Sequence, residues 1–250
     1  MGLLDLFKIK HPKNQGYNAI KLVYDNTSVT GKQRHATNQF IISKYSESDE
    51  PLEILAVAVS LDREGAKYRK QAIEYYERFL ENPVEIPIVP GLTNGNGKPV
   101  RCISYWQLYS SLGTLYEKEH NYEAAAKCYR LLPKESNYSN IADFTRCGNA
   151  LYMVDIQLCI EYYLNLMKDP KLIKYKKEFE KKYREYLKEF KAEEKEGANE
   201  HIVQELQWIT DNLPDIAPKS LSGYKRMKNS NSKNFQNIVN KAKEKGFEIK

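Results

Sequence analysis

The chain is poor in the features that announce chemistry. Its four cysteines, Cys102, Cys128, Cys147 and Cys159, form no C-x-x-C pair and sit among apolar helical residues, so neither a disulfide framework nor a cysteine-based zinc site is expected. Free cysteine in that setting acts as a small hydrophobe, which points to a reducing, cytoplasmic location. The four histidines, His11, His35, His120 and His201, are scattered and none lies in H-E-x-x-H, so no metal ligand set is expected. The passage "GLTNGNGKP" lacks the G-K-[ST] of a phosphate loop, and Pro99 removes a backbone donor where such a loop needs one. No G-x-S-x-G elbow is present, and Ser220 in "SLSGY" has neither strand context nor a His partner. No catalytic residue and no cofactor follow from this sequence.

Long hydrophobic runs are missing too. "ILAVAVSL" falls far short of the roughly 20 apolar residues that a membrane-crossing helix needs. The opening "MGLLDLFK" is too short for a signal-peptide core and is expected to dock on its own protein.

What is present is tyrosine and a lopsided charge. Nineteen Tyr give the chain side chains that pack a ring while keeping a hydroxyl wet, which suits thin helical layers. Residues 219 to 250 hold nine Lys and Arg against two Glu, a local +7 that leaves the first 218 residues at −1 of the total +6. A near-neutral body therefore carries a basic end.

Residues 1 to 50 show no sustained period and read as an irregular arm, with "NQFIISKY" a short helix or strand. From residue 51 to 167 the pattern is helical and paired. "PLEILAVAVSLDR" and "KYRKQAIEYYERFL" form the first pair, closed by Pro83. Residues 83 to 100 interrupt with four prolines and an Asn-Gly turn signal, a loop or hairpin insertion. The stretch "SLGTLYEKEHNYEAAAKCYRLLP", within a unit of about 106–139, is a second pair, and "NIADFTRCGNALYMVD" with "IQLCIEYYLNLMK" a third. Asp169-Pro170 restarts the chain as a long charged helix, with Leu172, Phe179, Tyr183, Tyr186 and Phe190 on one stripe, and "EHIVQELQWITDNL" adds a packing helix within 168 to 218. In residues 219 to 250, Phe235, Ile238, Val239 and Ala242 recur with helical spacing behind Ser232 and before Gly246. The fold class expected is all-α.

In the second pair, Tyr109, Leu112, Gly113 and Tyr116 share one helix face, and Ala125 and Tyr129 share one on the next helix. Small residues at Gly113 and Ala125 let two backbones approach while aromatics fill the space around them. This spacing resembles a tetratricopeptide repeat, W-x-x-L-G-x-x-Y followed by a small residue and an aromatic, with Tyr109 for the Trp and Asn137 where the unit's final Pro is expected. The first pair keeps Ala72, Tyr76 and Phe79 but has Ser60 in the glycine's place, and the third keeps Phe144 and Gly148. The resemblance implies a short α-solenoid whose first helices line a groove for a peptide or helix of a protein partner. It places Gln107, Ser110, Thr114 and Glu117 in that groove, joined by Thr145, Asn149 and Tyr152 from the third pair. Ser110 and Thr114 do not match the Lys and Asn with which some members of the family hold a C-terminal carboxylate.

Function is thus expected to be that of a non-catalytic adaptor or scaffold. The rival is nucleic-acid binding through the basic end, where Lys225, Arg226, Lys228 and Lys233 surround Tyr224, a combination of cations and a stackable ring.

Overall fold

A computed structural model describes residues 16–25, 30–93, 99–101, 103–196 and 200–249. The expected docking of the opening "MGLLDLFK", the turn of the 83–100 insertion and Cys102 lie outside the described residues. The fold is all-α and built of antiparallel, repeat-like helix pairs, with one short two-stranded hairpin. The described chain divides into two compact units, residues 1–112 and 113–250.

The first unit contains α1 (Tyr17–Asp25), α2 (Gly31–Tyr45), α3 (Pro51–Glu64), α4 (Arg69–Glu81), β1 (Ile88–Thr93), β2 (Pro99–Arg101) and the start of α5 (Tyr105–Lys118). Helix α3 is its centre: Leu55, Ala56, Val57 and Ala58 are fully buried, because α1, α2 and α4 all pack on it. Pro51 opens it at the first helical position, where a missing N–H costs nothing. The hairpin expected in the insertion forms, with Ile88 opposite Arg101 and Thr93 opposite Pro99.

Two helices stand where an irregular arm is expected. Helix α2 starts after Thr30, whose backbone N–H and hydroxyl donate to Gln33 Oε1 at 3.4 and 3.0 Å, and only Asn38, Ile41 and Tyr45 of it are buried. Its apolar stripe is too thin to signal a helix. Polar bonds anchor it instead: the Glu64 carboxylate at the end of α3 accepts from Asn38 Nδ2 at 2.8 Å and Gln39 Nε2 at 2.9 Å, and lies 2.6 Å from His35 Nδ1.

The second unit holds the end of α5, α6 (Tyr122–Tyr129), α7 (Leu132–Glu135), α8 (Ile141–Val154), α9 (Ile156–Lys168), α10 (Lys176–Glu196), α11 (Glu200–Asn212), α12 (Leu221–Asn229) and α13 (Lys233–Glu244). Asp169 caps as expected, its side chain accepting from Lys171 N at 2.9 Å, but the first turn after it is a 3-10 segment, Pro170–Tyr175. Several helices stop on a left-handed residue. His120 (φ 60°) and Asn231 (φ 45°) take that conformation, and Gly246 does so after α13. Each turns the next N–H back: Asn121 to Tyr116 O, Ser232 to Met227 O, and Phe247 to Ala242 O.

Two sockets organise the pairs of this unit. A methyl group on Gly113 would lie 2.3 Å from the Tyr129 ring, and one on Gly148 would lie 2.5 Å from the Tyr163 hydroxyl. Glycine is required at both because an aromatic ring from the second helix occupies the space of a side chain. Ala125 and Cys159, each four residues before its tyrosine, are likewise fully buried. In the first unit Ser60, Ala72 and Tyr76 hold the same places and are buried as deeply.

Candidate functional site

The groove residues expected from the repeat pattern fall in two environments. In the first unit, Gln107 and Ser110 line a cleft of about 440 Å³ together with Tyr24 of α1, Asp62 and Arg63 of α3, Tyr76 of α4 and Trp106 of α5. Gln107 has a structural duty as well. Its Oε1 accepts from the Ser104 backbone N–H at 2.8 Å and hydroxyl at 3.1 Å, while Ser104 Oγ accepts from Gln107 N at 3.1 Å. This reciprocal cap starts α5, and the S-x-x-Q spacing that encodes it is readable in the sequence. Arg63 is the cationic feature of the cleft and Asp62 its carboxylate. Burial pushes its pKa down and the nearby Arg34 pushes the same way, against Tyr76 and Asp62. Its guanidinium donates to Val23 O at 2.8 Å. The Tyr76 hydroxyl, raised by burial, pairs with Asp62 and with Ser111.

In the second unit the expected groove residues are engaged by their own chain. Arg146 donates to Thr114 Oγ1 at 2.8 Å and to the Tyr129 hydroxyl at 3.1 Å, while its guanidinium lies 4.3 Å from the centre of that ring. The same Tyr129 hydroxyl donates to Glu117 at 2.8 Å. Burial raises the Glu117 pKa, opposed by that bond and by the charges of Arg146 and Arg226. Burial likewise pushes the Tyr129 phenol up to about 12. Thr145 turns back to Ile141 O at 3.3 Å.

Asn149 accepts from the Tyr186 hydroxyl of α10 at 3.2 Å, and Tyr152 donates to Glu189 of α10 with its ring 5.1 Å from that of Tyr186. From the other side, Arg226 of α12 sits 4.9 Å from the centre of the Tyr152 ring. Helix α12 comes so close to α8 that a methyl on Gly223 would lie 2.9 Å from the Met153 carbonyl oxygen. Tyr152 is 1% exposed, so it does not line an open groove. The reason is the aromatic stripe of α10 and the basic helix α12, which bury it with favourable ring contacts.

The basic end is turned inward in the same way. Tyr224, expected as a stackable ring, is fully buried and donates to Glu205 at 2.8 Å. Lys228 binds that carboxylate at 2.6 Å, and His201 Nε2 lies 3.0 Å from its other oxygen. The carboxylate is fully buried, and burying a charge is tolerable only with such partners. Arg226 faces Tyr152, and Lys225 is half-buried. Lys233 is exposed at the start of α13. The five residues do not form one cationic surface.

Among the described residues no group of His, Cys, Asp and Glu could hold a metal ion, and no helix is long and apolar enough to cross a membrane. Burial pushes the Cys147 thiol up and the Cys159 thiol up to about 12, so both stay protonated at neutral pH.

Pattern reading missed Arg63 and Trp106, and expected Arg226 as a nucleic-acid contact where it lies over the Tyr152 ring. A signal existed for the first: aligned on Ser60 and Gly113, Arg63 takes the place of Tyr116, a charge where the repeat expects an aromatic. Comparison of the chain with family models, curated proteins and solved structures returned no match.

Proposed function

We propose that the protein is a non-catalytic interaction adaptor that binds a peptide or helix of a protein partner in a tetratricopeptide-like groove. Its recognition surface is the first unit's cleft between α3 and α5. One observation carries this reading: the cleft offers rings, a guanidinium and an amide around a volume of about 440 Å³, the mixed lining typical of a binding site. The second unit's counterpart is sealed by α10 and α12, which act there as a bound helix would. The buried Cys147 and Cys159, neither in a disulfide, support a reducing, cytoplasmic setting.

Selection of a displayed 12-residue peptide library on the full chain tests the reading. A motif should emerge that is lost with Ser110→Arg, while the circular dichroism of that variant should match that of the parent. No motif, or one indifferent to Ser110→Arg, refutes it.

Nucleic-acid contact is a second reading, favoured by Lys233, Lys241 and Lys243, which are exposed on α13. It has lost Tyr224 as a stacking group. Salt-sensitive anisotropy with labelled DNA or RNA, abolished by Lys233→Glu with Lys241→Glu, would support it over the adaptor.

A further inference from the structure

The cleft of the first unit is rich in hydrogen-bond donors and poor in free acceptors. Arg63 brings five N–H groups. Its guanidinium bonds a single backbone carbonyl, that of Val23, and among the described residues it makes no ion pair. The nearby Asp62 carboxylate is shared with the Tyr76 hydroxyl, so this half-buried cation is only partly compensated, and the cost of burying it falls when an anion enters. Gln107 is directional for a related reason. Its carbonyl oxygen is held by two donors of Ser104, and a backbone N–H can only face an acceptor, so the NH₂ is the end of this lining side chain not engaged with Ser104.

The carboxylate in the lining is already engaged in part. Asp62, next to Arg63 on α3, is bonded to the Tyr76 hydroxyl, and Ser111 satisfies that hydroxyl in turn. Arg34 of α2 adds positive potential at Arg63. Trp106 and Tyr24 supply flat apolar walls.

We infer that this cleft is a carboxylate subsite, taking an Asp or Glu side chain of the bound segment on Arg63 and the Gln107 amide. A carboxylate fits better than a phosphate monoester for two reasons. The guanidinium fork matches its two oxygens. Its single charge also meets half the repulsion from Asp62 that a dianion meets. The inference rests on the adaptor reading only for the source of the carboxylate; the chemistry of the subsite stands apart from it.

Small probes isolate that chemistry. The tryptophan fluorescence of the full chain is titrated at low ionic strength and pH 8 with phenylacetate, phenyl phosphate, benzyl alcohol and phenethylamine. Phenylacetate should give a saturable change that Trp106→Phe removes, and should bind at least five-fold more tightly than the other three. Arg63→Gln should weaken it at least five-fold, and Arg63→Lys less. Gln107→Glu, at an exposed position, should weaken it similarly by adding a like charge. Equal binding of benzyl alcohol, tighter binding of phenyl phosphate, indifference to Arg63→Gln and Gln107→Glu, or a signal that survives Trp106→Phe each overturns the inference. A library motif without an acidic residue also overturns it and leaves the adaptor reading standing. Phenylacetate binding at Arg63 with no library motif supports the subsite and refutes the adaptor.

Discussion

The two units use the same kind of helix pair and leave its first-helix face in opposite states. In the first, Arg63, Gln107 and Trp106 line an open cleft, and the Arg63 guanidinium there is bonded to a single carbonyl. In the second, Thr114, Glu117, Asn149 and Tyr152 all have partners within the unit, supplied by Arg146, Tyr129, α10 and α12. Exposed polar residues at groove positions are therefore not enough to define a site. What matters is whether later helices return to cover them.

Removing the anchor of the covering helix should break the contrast most severely. Glu205→Ala leaves Lys228 and the Tyr224 hydroxyl without their buried acceptor, and should cost about 3 kcal/mol in a denaturant titration. Hydrogen exchange should show α12 losing protection first, which would turn the closed face into an open one. If α12 stays protected, its contacts to α8 alone hold it.

The sockets sharpen the comparison at the next level. Gly113→Val would drive a side chain into the Tyr129 ring and should destabilise by about 2–3 kcal/mol. Gly148→Ala meets the far end of Tyr163 and should cost less. The equivalent position of the first unit should respond with the opposite sign. Ser60 is fully buried and its hydroxyl has no hydrogen-bond partner, so Ser60→Ala should stabilise by about 1 kcal/mol.

The smallest effect concerns α2. Burial would raise the Glu64 pKa, but bonds from Asn38, Gln39 and His35, with the His35 charge, together lower it. A carboxylate whose folded pKa is depressed adds stability that is complete above the unfolded value of about 4.3 and is lost as pH falls through the folded value. His35→Ala should remove part of that acid-side loss and cost under about 1 kcal/mol near neutrality, since His35 is largely exposed. A thermal-melt series from pH 3 to 7 on both proteins measures it. Identical profiles would mean that His35 adds nothing to the anchor.

The helix pairs between residues 51 and 167 were legible because their apolar residues repeat with helical period and their turns carry strong stop signals. The stripe running from the 3-10 segment into α10 was legible in part: Leu172, Phe179 and Tyr186 are buried, while Tyr183 and Phe190 are half-buried. Helix α2 was not, because three buried residues in fifteen leave almost no pattern and its anchor, Glu64, lies nearly twenty residues beyond its end.

The sequence by itself determined the local grammar of this protein. Helix, turn and small-residue sockets follow from periodicity, capping chemistry and the volume of a tyrosine ring, all of which act over a few residues. Only the tertiary structure decided which groove residues stay available. Tyr152 is closed by Arg226 and Tyr224 by Glu205, pairings between residues far apart in the chain or on separate helices. Arg63 is left facing a cleft. The reason is physical: a cation on a helix reads the same in sequence whether it ends over a ring, against a carboxylate or beside open space. Desolvation and pairing assign its role after the chain has closed on itself.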